Sequence, residues 1–467
     1  DHFVMRSSGR LVLQDGVAAY LQKWFSLVEL DGARQRILTP PRDTTIRVRL
    51  STEELKQGVK PSEKLKGPIM DTIAQQEAQG CRWQVEEANF MDDVVVLHPD
   101  PSYNENCTRS YPRIAVDQYA AAAIMRGADL MAVGVIGLDY GTENDEGKRV
   151  GNVRKGEKVS IVVDIARCLS RGQDITPKDS ELPLDAPFIA NGEVVMSRKE
   201  IFNSSKGSGV AVRITERIYP AIAFNEIIQN SNSLFLQNLP SALVSHILNP
   251  KPGDRVYDMC SAPGGKTTHL AQLMRDEGLV VASERSKTKI KLITDLCKRL
   301  DLSIVKVLAL DSTKVLQKEH KSPWNEIFRL ESFDKILLDP PCSGLGLRPK
   351  YVDENTVNGL LQHASYQRKF FQGAVALLKV GGELVYSTCT MHPEENEVNV
   401  AWALETYPEL ELMDIDNKLK LGSAGLPNCG LTREQQNFVQ RFSPTQDSPL
   451  DSNAFFIAKF RKTSPSQ

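Results

Sequence analysis

The chain has 467 residues, with 57 Lys and Arg against 59 Asp and Glu and a formal net charge of −2. Hydrophobic residues make up 41% and charged residues 25%, close to the globular average. These values exclude a disordered tail protein, a collagen-like chain, a small disulfide scaffold and a uniformly basic protein, while the length argues for roughly three domains.

The stretch up to Cys107 is mixed in texture. Thr44–Leu50 alternates β-branched and charged residues, the pattern of a half-buried strand. Met70–Gly80 reads as a helix that ends at Gly80, and Met91–His98 as a strand. Residues 1–110 are therefore expected to form a small α+β module, RRM-like in type. From Tyr111 short strand-like runs follow at Leu130–Ile136, Val159–Ile165, Phe188–Val195 and Val210–Ile214. Turn-prone segments at Gly141–Gly147, Gly172–Asp185 and Asn203–Gly209 separate them. This texture predicts a β-barrel or sandwich over residues 111–217.

Residues 218–467 carry a different pattern. Arg255–Met259, Leu279–Ser283, Ile304–Leu310, Lys335–Leu338 and Glu383–Tyr386 are short apolar runs. Helical stretches at Thr267–Asp276, Lys287–Leu300 and Tyr366–Leu378 alternate with them. Alternation of this kind predicts an α/β fold with a parallel, Rossmann-like doubly wound sheet and helices on both faces. Ala454–Phe460 follows a long polar loop and is expected to be an antiparallel edge strand. No apolar run approaches the ~20 residues of a membrane span. No charged segment followed by an apolar core marks a secretory signal at the N-terminus. The eight Cys contain no Cys-x-x-Cys pair, which argues against a disulfide framework and a structural zinc site. Reduced thiols in a cytoplasmic protein, without metal, are the expectation.

In open parallel sheets, ligands bind beyond the carboxyl ends of the strands. The first such end reads Asp258-Met-Cys-Ser-Ala-Pro-Gly-Gly-Lys266-Thr267. Gly264 and Gly265 permit a tight turn and close backbone approach, and the following helix presents its N-terminal amides. Gly265-Lys266-Thr267 resembles the end of a phosphate loop, but Cys260 stands where the first Gly is required and Pro263 lacks an amide donor. The dinucleotide fingerprint is absent too. A compact adenosyl ligand remains. Glu284 lies 20 positions beyond Gly264, where a ribose hydroxyl is gripped in such folds. Asp311 ends the third strand, in reach of an adenine amino group. Three successive strand ends of this kind favour S-adenosylmethionine.

The fourth and fifth strands end in Asp339-Pro-Pro-Cys342-Ser-Gly344 and Ser387-Thr-Cys389-Thr390. Most Cys side chains behave as small buried hydrophobes, and Cys81, Cys107, Cys168, Cys297 and Cys429 need no other reading. Cys342 and Cys389 differ because each sits at a strand's carboxyl end. Transfer to nitrogen or oxygen needs no thiol. Carbon 5 of a pyrimidine is a poor nucleophile, and a thiolate adding to carbon 6 activates it. Asp339 assists by hydrogen bonding to the ring, and a second thiol serves proton removal or release.

Asp258–Thr267, Asp339–Gly344 and Ser387–Glu397, with the lead-in Gln237–Gly253, together resemble the Sun (NOL/NOP/Sun) family of RNA cytosine carbon-5 methyltransferases. Ile124–Ala128, Val159–Asp164 and Ile189–Gly192 resemble a PUA RNA-binding domain. The combination is similar to the PUA-containing subfamily, that of the sixth-numbered animal Sun protein. This resemblance implies methylation of a cytosine near the 3′ acceptor end of particular tRNAs, and of some messenger RNA sites. It implies Cys389 as nucleophile, Cys342 in release of the covalent product, Asp339 against cytosine and cofactor, and Lys266 near both. It also implies cofactor contacts from Cys260, Ser261, Ala262, Pro263, Gly264, Gly265, Lys266, Glu284, Asp311 and Asp339. Ser261 stands where Ala is usual and Glu284 where Asp is common. Met131 and Val133 stand where the PUA pattern favours an aromatic and a Pro. Basic residues gather in the middle region, including Lys148, Arg149, Arg154, Lys155 and Lys158. Arg126, Gly127, Arg171, Asn191, Arg198 and Lys199 are the expected RNA contacts of a monomeric enzyme. The competing reading is an inactive RNA-binding scaffold, against which the intact Asp339, Cys342 and Cys389 argue.

Overall fold

The computed structural model describes residues 10–65, 68–77, 82–100, 107–139, 142–143, 149–150, 153–175, 186–203, 208–222, 225–317, 324–445 and 450–466. Gly80, Cys81 and Lys148 lie outside the described residues, as do parts of the turn-prone segments 141–147, 172–185 and 203–209.

Short runs of Val, Ile and Leu form the sheet of the C-terminal half. Its first five strands are Arg255–Asp258, Leu279–Glu284, Val305–Ala309, Phe333–Leu338 and Leu378–Thr388. They pair in parallel in the order third, second, first, fourth, fifth. The order reverses between the first and fourth strands, which opens a crevice at their carboxyl ends. Helices Gly265–Leu273, Lys287–Arg299 and Val357–Leu377 lie between the strands in sequence. The last is longer than its sequence signal, and Thr356 caps it by accepting from the Gly359 amide at 3.1 Å. Phe455–Lys462 joins antiparallel to the fifth strand, as expected, but it is not the edge. Leu410–Met413 pairs outside it, and its four residues are too few to announce a strand. Tyr257, Phe333, Phe371, Phe456 and Phe460 are fully buried in this core.

A second, four-stranded antiparallel sheet has the order Leu234–Leu236, Thr44–Val48, Val94–Pro99, Trp83–Glu87. Helix Pro68–Glu77 joins its first two strands in sequence, and helix Asn225–Asn230 precedes its last. This is a split β-α-β-β-α-β arrangement. The region from Arg113 to Arg217 is inserted between its third and fourth strands, so a boundary at residue 218 cuts through the N-terminal sheet. A three-residue strand far along the chain gives no sequence signal of its partner. The first helices, Val17–Leu21 and Leu27–Arg36, pack elsewhere. They share a core with Leu345, Leu360, Met391 and Ala454 of the large domain.

The inserted region forms a seven-stranded mixed sheet, in the order Gln173–Asp174, Val135–Leu138, Arg113–Val116, Lys158–Val163, Phe188–Val194, Val210–Arg217, Leu130–Met131. The single strand expected at Leu130–Ile136 is broken by a 3-10 turn at Ala132–Gly134. Gly134 is needed there, since a Cβ would lie 2.5 Å from that of Ala120. Tyr351 and Val352, which follow the fourth strand of the large sheet, complete the core of the insertion. The Tyr351 hydroxyl donates to Met125 Sδ at 2.9 Å.

A buried hydrogen-bonded cluster locks the small sheet to the large domain. Asp93 Oδ1 meets His246 Nε2 at 2.7 Å, and Oδ2 meets His269 Nε2 at 2.9 Å. Gln272 Nε2 also donates to Oδ2, at 2.8 Å. Burial alone would push the Asp93 carboxyl up. The imidazoles of His269 and His246 outweigh it and hold the group well below the ordinary carboxylate range. Burial pulls His269 down to about 4, so it is neutral in the fold near neutral pH. On unfolding below the ordinary histidine value, His269 takes up a proton, so the unfolded chain binds more protons and stability falls as pH drops towards 4. Loss of the Asp93 charge adds to this at lower pH. Asp93→Ala leaves His269 and Gln272 without their buried acceptor and should cost about 1–3 kcal/mol, read as a lower urea midpoint. The wild-type midpoint should fall between pH 7 and pH 5 more steeply than that of His269→Gln.

Candidate active site

The first strand ends at the buried Asp258. Its Oδ2 accepts from Thr267 Oγ1 at 2.7 Å and its Oδ1 from the Cys260 amide at 3.3 Å. Burial pushes its carboxyl up to about 6 against the pull of the Thr267 hydrogen bond. The loop then turns at Gly264, whose φ of +108° suits glycine, into helix Gly265–Leu273. Its geometry is fixed from the neighbouring strands. The Ser261 amide and hydroxyl both donate to the Ser283 carbonyl, at 3.1 and 3.0 Å. Ser312 Oγ donates to the Met259 carbonyl at 2.7 Å.

Two carboxylates stand at the next strand ends. Glu284 Oε1 accepts from the Ser286 amide at 2.7 Å. Asp311 Oδ1 accepts from the Thr313 amide and hydroxyl at 3.1 and 2.7 Å. Hydroxyl and amino donors of an adenosyl group match two such acceptors, and helix-terminal amides match its polar end. Burial first, then the surrounding Asp258, Asp339, Glu284 and Asp311 push the Cys260 thiol well up, so it stays protonated.

Across the crevice, Lys266 Nζ donates to Asp339 Oδ2 at 2.7 Å, and Ser387 Oγ donates to Oδ1 at 2.7 Å. Burial draws the Lys266 ammonium down, but Asp339 more than offsets it and leaves the group above the ordinary lysine value. Cys342 Sγ and Cys389 Sγ lie 3.1 Å apart. Both keep partial exposure, as do Lys266 and Asp339, whereas Cys297 and Cys429 are buried. The two thiols share a proton unequally. The Cys342 hydrogen bond lowers Cys389 against the effect of burial, and the Lys266 charge favours its thiolate. The hydrogen bond to Cys389, then burial, raises Cys342. The arrangement offers one thiolate nucleophile, one neighbouring proton carrier and one anchored carboxylate.

Residues 245–461 match the family model of the 16S rRNA methyltransferase RsmB/F. The tRNA (cytosine(72)-C(5))-methyltransferase NSUN6 of Mus musculus is 33% identical over 451 residues, covering 91% of this chain and 88% of that protein. A tRNA (cytosine(72)-C(5))-methyltransferase of Pyrococcus horikoshii is 30% identical over 95% of both chains. The chain belongs to the Sun family of RNA cytosine-C5 methyltransferases. A crystal structure of NSun6 from Pyrococcus horikoshii with SFG superimposes with a TM-score of 0.71 at 28% identity, over 97% of this chain and 99% of that one. The large domain is thus a class I, Rossmann-like methyltransferase fold, and SFG is an analogue of S-adenosylmethionine, the cofactor of this Sun-family enzyme.

Sequence reasoning missed the groups that hold the Sun-family thiol loops. Glu395, fully buried, accepts from the Ser343 amide at 3.0 Å and from Gln367 Nε2 at 2.8 Å. Ser343 Oγ and Thr390 Oγ1 are 2.9 Å apart, which ties the two cysteine loops together. Glu395 and Thr390 lie within the Ser387–Glu397 motif. Gln367 is one polar residue on a long helix and gave no signal. Among the described residues, Asp93, His246 and His269 form a group of metal-ligating type, although no metal was expected. Their facing atoms are closed on one another by hydrogen bonds.

Of the expected RNA contacts, Arg126, Arg171, Arg198 and Lys199 are exposed. Arg126 lines a cleft with Pro220, Asn238 and Arg348, where the insertion meets both other sheets. Gly127 is buried and makes the turn after helix Gln118–Met125, with φ +101°. Asn191 is a correction. It is 1% exposed, and its amide is engaged by Thr108, Val159 and Ser160, so it belongs to the interior rather than to an RNA surface. The Arg171 guanidinium donates to the carbonyls of Val133, Ala132 and Ile201.

Cys389 should alkylate with iodoacetamide near neutral pH, ahead of Cys260, Cys297 and Cys429. Cys342→Ala removes the donor that favours its thiolate, so the pH profile of Cys389 alkylation, followed by peptide mapping, should move to higher pH. Lys266→Met should move it the same way.

Proposed function

We propose that this enzyme methylates a cytosine near the 3′ acceptor end of tRNA, with cytosine 72 as the first candidate, through a covalent Cys389–cytosine intermediate. The observation that carries the reading is the pair of sulfurs 3.1 Å apart beside the Lys266–Asp339 ion pair. The Cys389 thiolate attacks carbon 6, and the ring's electron pair moves to carbon 5, making it nucleophilic. Asp339, fixed by Lys266 and Ser387, accepts from the cytosine amino group and orients the ring. S-adenosylmethionine, when bound, supplies the electrophilic methyl group for carbon 5. Cys260–Lys266, Glu284 and Asp311 are the residues that would hold it. Carbon 5 then gives up its proton to solvent water, and the Cys342 thiol assists release by hydrogen bonding to the departing sulfur of Cys389. The carbon–sulfur bond breaks, and Cys389 leaves as thiolate. Messenger RNA that offers an equally accessible cytosine is open to the same chemistry.

The inserted mixed sheet is proposed to be a PUA-type RNA-binding domain, with Arg126, Arg198 and Lys199 on its RNA face. Unpaired acceptor ends suit recognition by exposed edges and phosphate contacts. The scaffold alternative gives no reason for a thiol pair at a methyltransferase crevice.

Transfer of labelled methyl groups to tRNA transcripts, with the product mapped by bisulfite sequencing, tests the reading. Modification of one acceptor-end cytosine is the expected result, and modification confined to other RNA would overturn the substrate assignment. Cys389→Ser should lower the transfer rate by roughly 10³-fold or more, as expected for a lost nucleophile. Arg126→Ala should weaken tRNA binding and reduce the salt slope by about 1, the signature of a lost phosphate contact.

A further inference from the structure

Arg47 is the fourth residue of the N-terminal strand Thr44–Val48, yet its side chain ends at the methyltransferase loop. It is 1% exposed. Its Nη1 donates to the Gly265 carbonyl at 2.6 Å and to Gln237 Oε1 at 2.7 Å, and its Nη2 donates to Thr268 Oγ1 at 2.8 Å. Thr268 Oγ1 in turn donates to the Gly264 carbonyl at 2.8 Å. The Phe235 ring lies 4.7 Å from the guanidinium carbon and close behind Gly265, where a Cβ would meet it at 3.1 Å. Both carbonyls of the Gly264–Gly265 turn are therefore held by one small network, whose cation comes from a different sheet.

The placement is electrostatically costly. A cation at the N-terminal end of a helix faces the positive end of the macrodipole, and full burial removes its hydration. Three acceptors in fork geometry offset that cost in a way that a lysine or an apolar side chain would not. A residue needed only to fill volume would not require them. Lys266, next in sequence to Gly265, is the donor to Asp339.

We propose that Arg47 is a positioning residue for the cofactor loop. By clamping the Gly264–Gly265 turn, it presets the loop for S-adenosylmethionine and aims Lys266 at Asp339. Cofactor affinity is thereby set in part by the N-terminal sheet, outside the methyltransferase domain. The inference rests on the reading that the Cys260–Lys266 loop holds the cofactor.

The test is calorimetric binding of S-adenosylhomocysteine to the full chain, with tRNA binding and melting temperature measured alongside. Arg47→Met should weaken S-adenosylhomocysteine binding by about tenfold, with Arg47→Lys in between, as for a lost charged hydrogen-bond network. Affinity for tRNA should stay within about twofold, and the KM for S-adenosylmethionine should rise without a matching rise for tRNA. Equal loss of both affinities, or S-adenosylhomocysteine binding within about twofold of wild type, would overturn the proposal. Should Arg47→Met fail to fold, Thr268→Val removes one arm of the network and is judged by the same criteria. Glu284→Ala separates the two levels. If it leaves S-adenosylhomocysteine binding intact, the cofactor-loop reading fails and the inference falls with it. If it weakens binding while Arg47→Met does not, the positioning role alone fails.

Discussion

The ion pair between Lys266 and Asp339 holds the crevice together. Lys266 comes from the helix after the first strand and Asp339 from the end of the fourth, the two strands between which the sheet order reverses. A single 2.7 Å contact therefore spans the switch point of the fold. It keeps a cation near Cys389 and fixes a carboxylate that Ser387 holds from the other side. The thiol pair depends on this frame. The Cys342 hydrogen bond lowers the Cys389 thiol against burial, and the Lys266 charge adds to it in favouring the thiolate.

Around the ion pair the polar groups are nearly all engaged. Glu395, Gln367, Ser343 and Thr390 bind the two cysteine loops to each other and to the helix behind them. His392 extends the network to Tyr20 of the first helix, through contacts at 3.2 Å to Glu395 and 3.3 Å to the Tyr20 hydroxyl. Preorganisation of this kind holds a nucleophile and its neighbours without reorganisation during the reaction. It also ties helix Val17–Leu21 to the methyltransferase domain rather than to the small sheet.

Much of the large domain was legible in the sequence because its signals are local. The apolar runs of the first four strands, the glycine turn at Gly264 and the cysteines at two strand ends each lie within a few adjacent residues. What escaped depends on partners distant in sequence. Leu234–Leu236 becomes a strand by pairing with Thr44–Val48, and Leu410–Met413 by pairing with Phe455–Lys462. Arg47, Asp93 and Gln367 look like ordinary surface residues until the fold buries them. Asn191 was misread for the opposite reason. It was expected at an RNA surface, but it lies in the interior with its neighbour Gly192, where a Cβ would meet Val212 at 2.5 Å.

The assignment of the two thiols is tested most directly by denaturing electrophoresis after incubation of each cysteine variant with tRNA and S-adenosylmethionine. Cys342→Ala is expected to retain a covalent protein–RNA band, because the adduct forms and is not released, and Cys389→Ala is expected to show none. A band with Cys389→Ala and none with Cys342→Ala would contradict Cys389 as the nucleophile.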